Sequence, residues 1–207
     1  FSSPSAWSVQ RAVARATCVI CPEGFFCPTG TSQFSANACP PGYYCPAGTS
    51  SGFENACPVG TYSADLRMTS ASQCQQCPAG FACATTGLTA AVPCSAGTYQ
   101  PEPGSMMCRP CEEGWACPRV SMTTYLSTPC AAGHYCPRGT ALSTTNACPA
   151  GTYTFRTNLG HDGDCEICWR GHYCPAGTGL SPATPQPCAA GSYCPGVPSN
   201  ANGKYFY

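Results

Sequence analysis

Along the 207 residues, apolar and polar positions settle into neither of the two periods that build regular structure. No stretch keeps the 3.6-residue recurrence of an amphipathic helix for long enough to fold as one, and strand-like alternation lasts only over short pieces such as Gly-Thr-Tyr-Ser at 60–63. The pattern therefore predicts loops, turns and small two-stranded ladders, with little or no helix. What recurs is a longer unit. C-x-x-G followed by an aromatic residue occurs ten times, beginning at Cys21, Cys39, Cys57, Cys77, Cys94, Cys111, Cys130, Cys148, Cys168 and Cys188, at spacings of 17 to 20 residues. Glycine stands three places after that cysteine in every copy, where a tight turn requires positive φ. Five places on, eight copies carry a ring (Phe26, Tyr44, Tyr62, Tyr99, Tyr135, Tyr153, Tyr173, Tyr193), and in the other two it moves one place earlier, to Phe81 and Trp115. These rings are the expected miniature core.

A second period lies on top. The cysteines from Cys18 through Cys83 recur from Cys108 through Cys174 at offsets of 90 or 91 residues. The chain thus divides into an N-terminal extension (1–17), two cysteine-rich super-repeats (18–107 and 108–194) and a C-terminal tail (195–207). The expected fold is small and disulfide-rich: an elongated tandem array of about ten short Cys/Gly repeats with turns and minor β, each repeat touching mainly its neighbours as in solenoids.

Composition sets the compartment. Cysteine (21), glycine (22) and proline (22) supply 65 of the 207 residues, a mixture that builds no conventional core. In a reducing cytosol so many thiols would need metals, whereas in an oxidising compartment they replace core burial with crosslinks. The chain is therefore expected to be extracellular or at a cell surface. Nine basic and nine acidic residues give a formal net charge of zero, so no steering of nucleic acid or anionic lipid is expected. No apolar run approaches the roughly 20 residues that span a membrane. No signal peptide is visible, and a start at Phe1 points to a processed chain or a piece of a longer one.

The cysteines sort themselves by position. Beyond the ten repeat cysteines, seven copies carry another six places later and four carry one three places earlier. The copies lacking the later cysteine begin at Cys57, Cys94 and Cys148, and each is followed by a copy that has the earlier one. One compensates for the other. The simplest rule closes each repeat's first cysteine on its own later cysteine, or on the next repeat's early one: Cys21–Cys27, Cys39–Cys45, Cys57–Cys74, Cys77–Cys83, Cys94–Cys108, Cys111–Cys117, Cys130–Cys136, Cys148–Cys165, Cys168–Cys174 and Cys188–Cys194. Cys18 is left over, its partner lying upstream of Phe1 or in another molecule. A rival rule shifts every bond by one cysteine and leaves Cys194 free. It requires four C-x-x-C rings, which are commonly reducible redox elements, so the first rule is preferred. Staggered pairings stay open.

The segment CPVGTYSADLRMTSASQCQQCPAG, from Cys57 to Gly80, resembles the ephrin-receptor-like cysteine-rich repeats, whose motif is C-P-x-G-T-Y followed by C-x-x-C-P-x-G. It is also similar to the first half of tumour-necrosis-factor-receptor modules, in which the first cysteine bonds the second across such a loop; the resemblance implies Cys57–Cys74 and Cys148–Cys165. It covers about Cys18 to Cys194. Long arrays of such repeats are typical of protist and algal surface proteins, including those similar to flagellar-hair (mastigoneme) proteins, and no enzyme activity comes with the family. The C-x5-C copies are more numerous here than the family pattern leads one to expect.

Other chemistry is sparse, and no cofactor is expected. The C-x-x-C pairs at Cys18, Cys74, Cys108 and Cys165 could be halves of zinc sites, but each sits in a repeat whose other cysteines are accounted for as disulfides. His161, Asp162 and Asp164 could flank a calcium ion, yet a solvated turn is the preferred reading because a Ca²⁺ cage needs six or more oxygens. No catalytic constellation can be built from three histidines, among them His134 and His172 just before the repeat aromatic. No Asn-x-Ser/Thr sequon exists, and Asn37, Asn55 and Asn146 in Asn-Ala-Cys read as turn residues. O-linked sugar on Thr123, Thr124, Ser143, Thr144 and Thr145 is the better candidate. The aromatic ends, Phe1, Trp7, Tyr205, Phe206 and Tyr207, are candidates for self-assembly. The expected function is a structural subunit of an extracellular filament, hair or matrix, a homo-oligomer and not an enzyme. The alternative is a ligand-binding ectodomain of a receptor or adhesin.

Overall fold

The computed structural model describes residues 18–180 and 184–194. Each repeat is a small hairpin. The chain turns at the glycine, runs out past the repeat aromatic, and returns antiparallel just ahead of the next repeat's first cysteine. Six repeats form a two-residue ladder: Thr61–Tyr62 with Gln75–Gln76, Phe81–Ala82 with Val92–Pro93, Thr98–Tyr99 with Arg109–Pro110, His134–Tyr135 with Asn146–Ala147, Thr152–Tyr153 with Glu166–Ile167, and His172–Tyr173 with Gln186–Pro187. Elsewhere the contact shrinks to one bridge, as in Phe25 with Ala38, Tyr43 with Ala56 and Trp115 with Pro129. Among the described residues the only helical pieces are three-residue 3₁₀ turns, Phe34–Ala36, Ala71–Gln73 and Asp162–Asp164. The last two lie 91 residues apart, each inside a 17-residue disulfide loop, so the super-repeat is visible in the fold. The array nonetheless runs unbroken through 107–108, since the Cys94–Cys108 bond spans it.

Two-stranded ribbons this short do not stand alone. Ten disulfides supply the missing constraint, joining Cys21–Cys27, Cys39–Cys45, Cys57–Cys74, Cys77–Cys83, Cys94–Cys108, Cys111–Cys117, Cys130–Cys136, Cys148–Cys165, Cys168–Cys174 and Cys188–Cys194. Cys18 is unpaired and exposed. Three of the four C-x-x-C pairs are split between two different bonds, and in the fourth Cys21 bonds forward to Cys27, leaving Cys18 alone.

The buried centre differs from the expectation. Fourteen of the cysteines are at most 6% exposed, whereas of the ten repeat aromatics only Tyr99 and Tyr153 are buried. Tyr173 and Tyr193 are 51% and 85% exposed. A unit of fewer than twenty residues encloses a slim S–S bridge but cannot wrap a ring. Three of the repeat rings meet other rings edge to face, Tyr99 and Trp115 against Tyr125 at 5.1 and 5.9 Å between centroids and Tyr153 against Trp169 at 5.3 Å, and the residues just before two others do the same, Phe25 against Phe34 and Tyr43 against Phe53.

Candidate functional site

In a molecule made of repeats, the junction between repeats is the arrangement that recurs. Four main-chain hydrogen bonds recur there. Between the repeats of Cys39 and Cys57, for example, Gly42 N donates to Ser63 O (2.9 Å), Cys57 N to Gly42 O (2.8 Å), Cys45 N to Met68 O (2.8 Å) and Arg67 N to Cys39 O (3.0 Å). The second of these bonds is present at all nine junctions, from Cys39 N to Gly24 O through Cys188 N to Gly171 O. The other three are each present at eight. The turn glycine is thus both donor and acceptor to the repeat that follows.

The residue that donates back to the first cysteine forms a second turn, which the sequence reading missed. It holds positive φ throughout: Gly48 (85°), Arg67 (62°), Gly87 (72°), Gly104 (72°), Ser121 (56°), Gly139 (85°), Asn158 (69°) and Gly177 (79°). Every non-glycine residue with positive φ among the described residues falls at this place. The residue after it is buried in six of the eight, Thr49, Met68, Met122, Thr140, Leu159 and Thr178, and half-buried in the other two, Leu88 and Ser105. A signal was present: Cys45-Pro-Ala-Gly-Thr, Cys136-Pro-Arg-Gly-Thr and Cys174-Pro-Ala-Gly-Thr repeat the C-x-x-G motif with threonine where the ring would stand. Each of these threonines ties off its own turn through its hydroxyl, as Thr49 Oγ1 does to Pro46 O at 2.6 Å.

The second turn also corrects the expectation that repeats touch mainly their neighbours. A Cβ placed on Gly42 would collide with the Gly87 carbonyl, two repeats on, and one on Gly60, Gly80, Gly97, Gly114 or Gly133 would meet the corresponding carbonyl of Gly104, Ser121, Gly139, Asn158 or Gly177. Each repeat therefore bonds to the next and rests on the one after. Only a glycine admits so close a carbonyl, and the geometry favours a weak Cα–H···O contact.

Where the later cysteine is absent, a polar residue fills its buried place: Ser63, Gln100 and Thr154 are 0%, 3% and 1% exposed. Each satisfies its own polar atoms. Ser63 Oγ accepts from Asp65 N, Thr154 Oγ1 accepts from Arg156 N, and Gln100 donates to Met107 O and accepts from Glu102 N. Among the described residues no buried side-chain nitrogen or oxygen lacks a partner.

Asp164 accepts from His161 N at 3.1 Å and Asp162 from Gly163 N at 2.8 Å, so both carboxylates are engaged in the 3₁₀ turn. His161 instead reaches Glu113, 3.2 Å away in an earlier repeat. Thr123, Thr124, Thr144 and Thr145 are exposed and Ser143 is half-buried. Phe1, Trp7, Tyr205, Phe206 and Tyr207 lie outside the described residues. A hollow of about 310 Å³ is lined by Arg119, Val120, Met122 and Thr124, with no second titratable group beside the arginine. The largest aromatic cluster joins Tyr153, Phe155 and Trp169, with Trp169 48% exposed and its indole N–H donating to Tyr153 Oη at 2.7 Å. Burial, together with the bond to Glu166, pushes the Tyr153 phenol above its ordinary 10.0, and burial does the same to Tyr99.

The fold defines a class: a disulfide-stapled tandem-repeat array of Cys/Gly hairpins. Such a framework is the chemistry of an oxidising compartment and marks the chain as secreted or extracellular. Among the described residues no helix is long and apolar enough to cross a membrane. No protein-family model matches the chain, and no curated protein matches it.

Proposed function

We propose that the chain is a structural, non-enzymatic subunit of an extracellular filament, surface hair or matrix, built as a stapled rod that assembles with copies of itself. The observation that carries this reading is the junction: the same main-chain bonds recur from repeat to repeat, so load passes along backbone and sulfur, not through a small side-chain core. The resemblance to ephrin-receptor-like repeats and to mastigoneme-like surface proteins supports it. O-linked sugar on Thr123, Thr124, Thr144 and Thr145 would help keep so uncharged a surface hydrated.

Negative-stain microscopy of the native protein tests the proposal. Rods that lengthen with protein concentration are expected, and a population of single, unassociated particles at every concentration contradicts it. A second reading, a ligand-binding ectodomain, is favoured by one feature, the exposed ring cluster around Trp169. Under that reading Trp169→Ala abolishes capture of a ligand; under the filament reading it leaves assembly unchanged.

A further inference from the structure

The two ends of the array are complementary, and from this we infer that a second copy of the chain docks end-on, in register, so that the solenoid continues from one molecule into the next. The inference rests on the filament reading and specifies its interface. At the first repeat, among the described residues, Cys21 N and Gly30 N donate to nothing, and Cys27 O and Thr31 O accept nothing. At the last repeat, again among the described residues, Gly191 N and Cys194 N lack acceptors, and Gly191 O and Cys188 O lack donors. These eight groups are the two halves of one internal junction. Placed as at the eight junctions that show all four bonds, Cys21 N meets Gly191 O, Gly191 N meets Cys27 O, Cys194 N meets Thr31 O and Gly30 N meets Cys188 O.

The contact two repeats along is matched as well. An added Cβ on Gly171 or Gly191 meets nothing within 4 Å among the described residues, whereas the same position on Gly42 through Gly133 meets a carbonyl from two repeats on. In the continued array Gly171 would receive the Gly30 carbonyl of the second copy, and Gly191 its Gly48 carbonyl. Edges that lack partners among the described residues recruit another chain unless they are covered. Because the two surfaces differ and the contact does not close on itself, its product is a filament. The register also gives Cys18 a position: an early cysteine sits opposite the first cysteine of the preceding repeat, as Cys74 does opposite Cys57 with 5.8 Å between Cα atoms. For Cys18 that partner is Cys188 of the neighbouring copy, held in the single chain by Cys194.

The test is the full chain carrying Cys194→Ser, oxidised under mild conditions and run without reduction. Removing Cys194 recreates the circumstance of Cys57, so the variant is expected to form a ladder of linked oligomers whose digest contains a Cys18–Cys188 peptide. Adding Cys18→Ser abolishes the ladder. In the otherwise unaltered chain, Gly191→Ala puts a methyl group where nothing lies among the described residues of the monomer and the neighbour's carbonyl lies in the filament. Self-association measured by sedimentation should weaken by about tenfold or more, as expected for an overpacked contact, while the other nine disulfides map unchanged. Association with Cys18–Cys18 or Cys188–Cys188 links, or association undiminished by Gly191→Ala, overturns the end-on register and leaves the filament reading standing. A parent chain that stays monomeric at every concentration overturns both.

Discussion

At the scale of the residue, two backbone positions per repeat carry the fold. The turn glycine has positive φ and also receives a carbonyl from two repeats away, whereas Gly30 has the same backbone (85°) and nothing near it. Gly30→Ala should therefore cost only the left-handed penalty of about 1–2 kcal/mol. Gly42→Ala should cost a further ~1–3 kcal/mol, because the Gly87 carbonyl must move. Denaturant unfolding of the two variants checks the difference, and equal losses would deny the contact. At the second turn the strain runs the other way. Ser121 carries a Cβ at φ 56°, where glycine would sit without strain, so Ser121→Gly should stabilise by about 0.5–1 kcal/mol, read from the shift in midpoint. The first turn was legible in the sequence because its glycine never varies. The second was hidden because glycine, arginine, serine and asparagine alternate there, and what stays constant is the backbone and the main-chain N–H it presents.

At the scale of the element, the disulfide loops replace a core. By loop-closure entropy a six-residue loop such as Cys39–Cys45 contributes about 2 kcal/mol and the 17-residue loop of Cys57–Cys74 about 3 kcal/mol. Removing either pair as a double alanine variant should lower stability by at least that amount. The compensation between early and later cysteines gives a sharper test. Ser63 already occupies the buried place of a later cysteine. Ser63→Cys should therefore divert Cys57 into a bond with the introduced thiol and release Cys74, visible as one additional alkylated thiol and a changed non-reduced digest. An unaltered Cys57–Cys74 bond would show that the longer loop is held by more than proximity. The pairing was legible from which copies lack which cysteine, but spacing alone left the shifted rule open. The choice is made in space, where each bonded pair brings its Cα atoms to 5.7–6.1 Å. The expected ring core failed for a reason of size: hairpins this small close over sulfur and leave Tyr173 and Tyr193 in water.

At the scale of the whole molecule, adjacent repeats share main-chain bonds and alternate repeats share a turn-to-turn contact, so the array coils as one continuous body from the first repeat into the ninth. None of this next-but-one contact was legible, since a carbonyl resting on a glycine leaves no side-chain signature. The raised phenols add a pH limit. Tyr99 and Tyr153 hold their protons more tightly folded than unfolded, so their contribution is complete below pH 10.0 and is lost as pH rises through their higher folded values. The shape itself rests on covalent sulfur. The most direct measurement is a non-reduced peptide map of the native chain combined with thiol counting in denaturant. The account predicts one reactive thiol per chain, on Cys18, and the ten bonds from Cys21–Cys27 to Cys188–Cys194. A Cys74–Cys77 peptide, several titratable thiols, or stoichiometric zinc would contradict it.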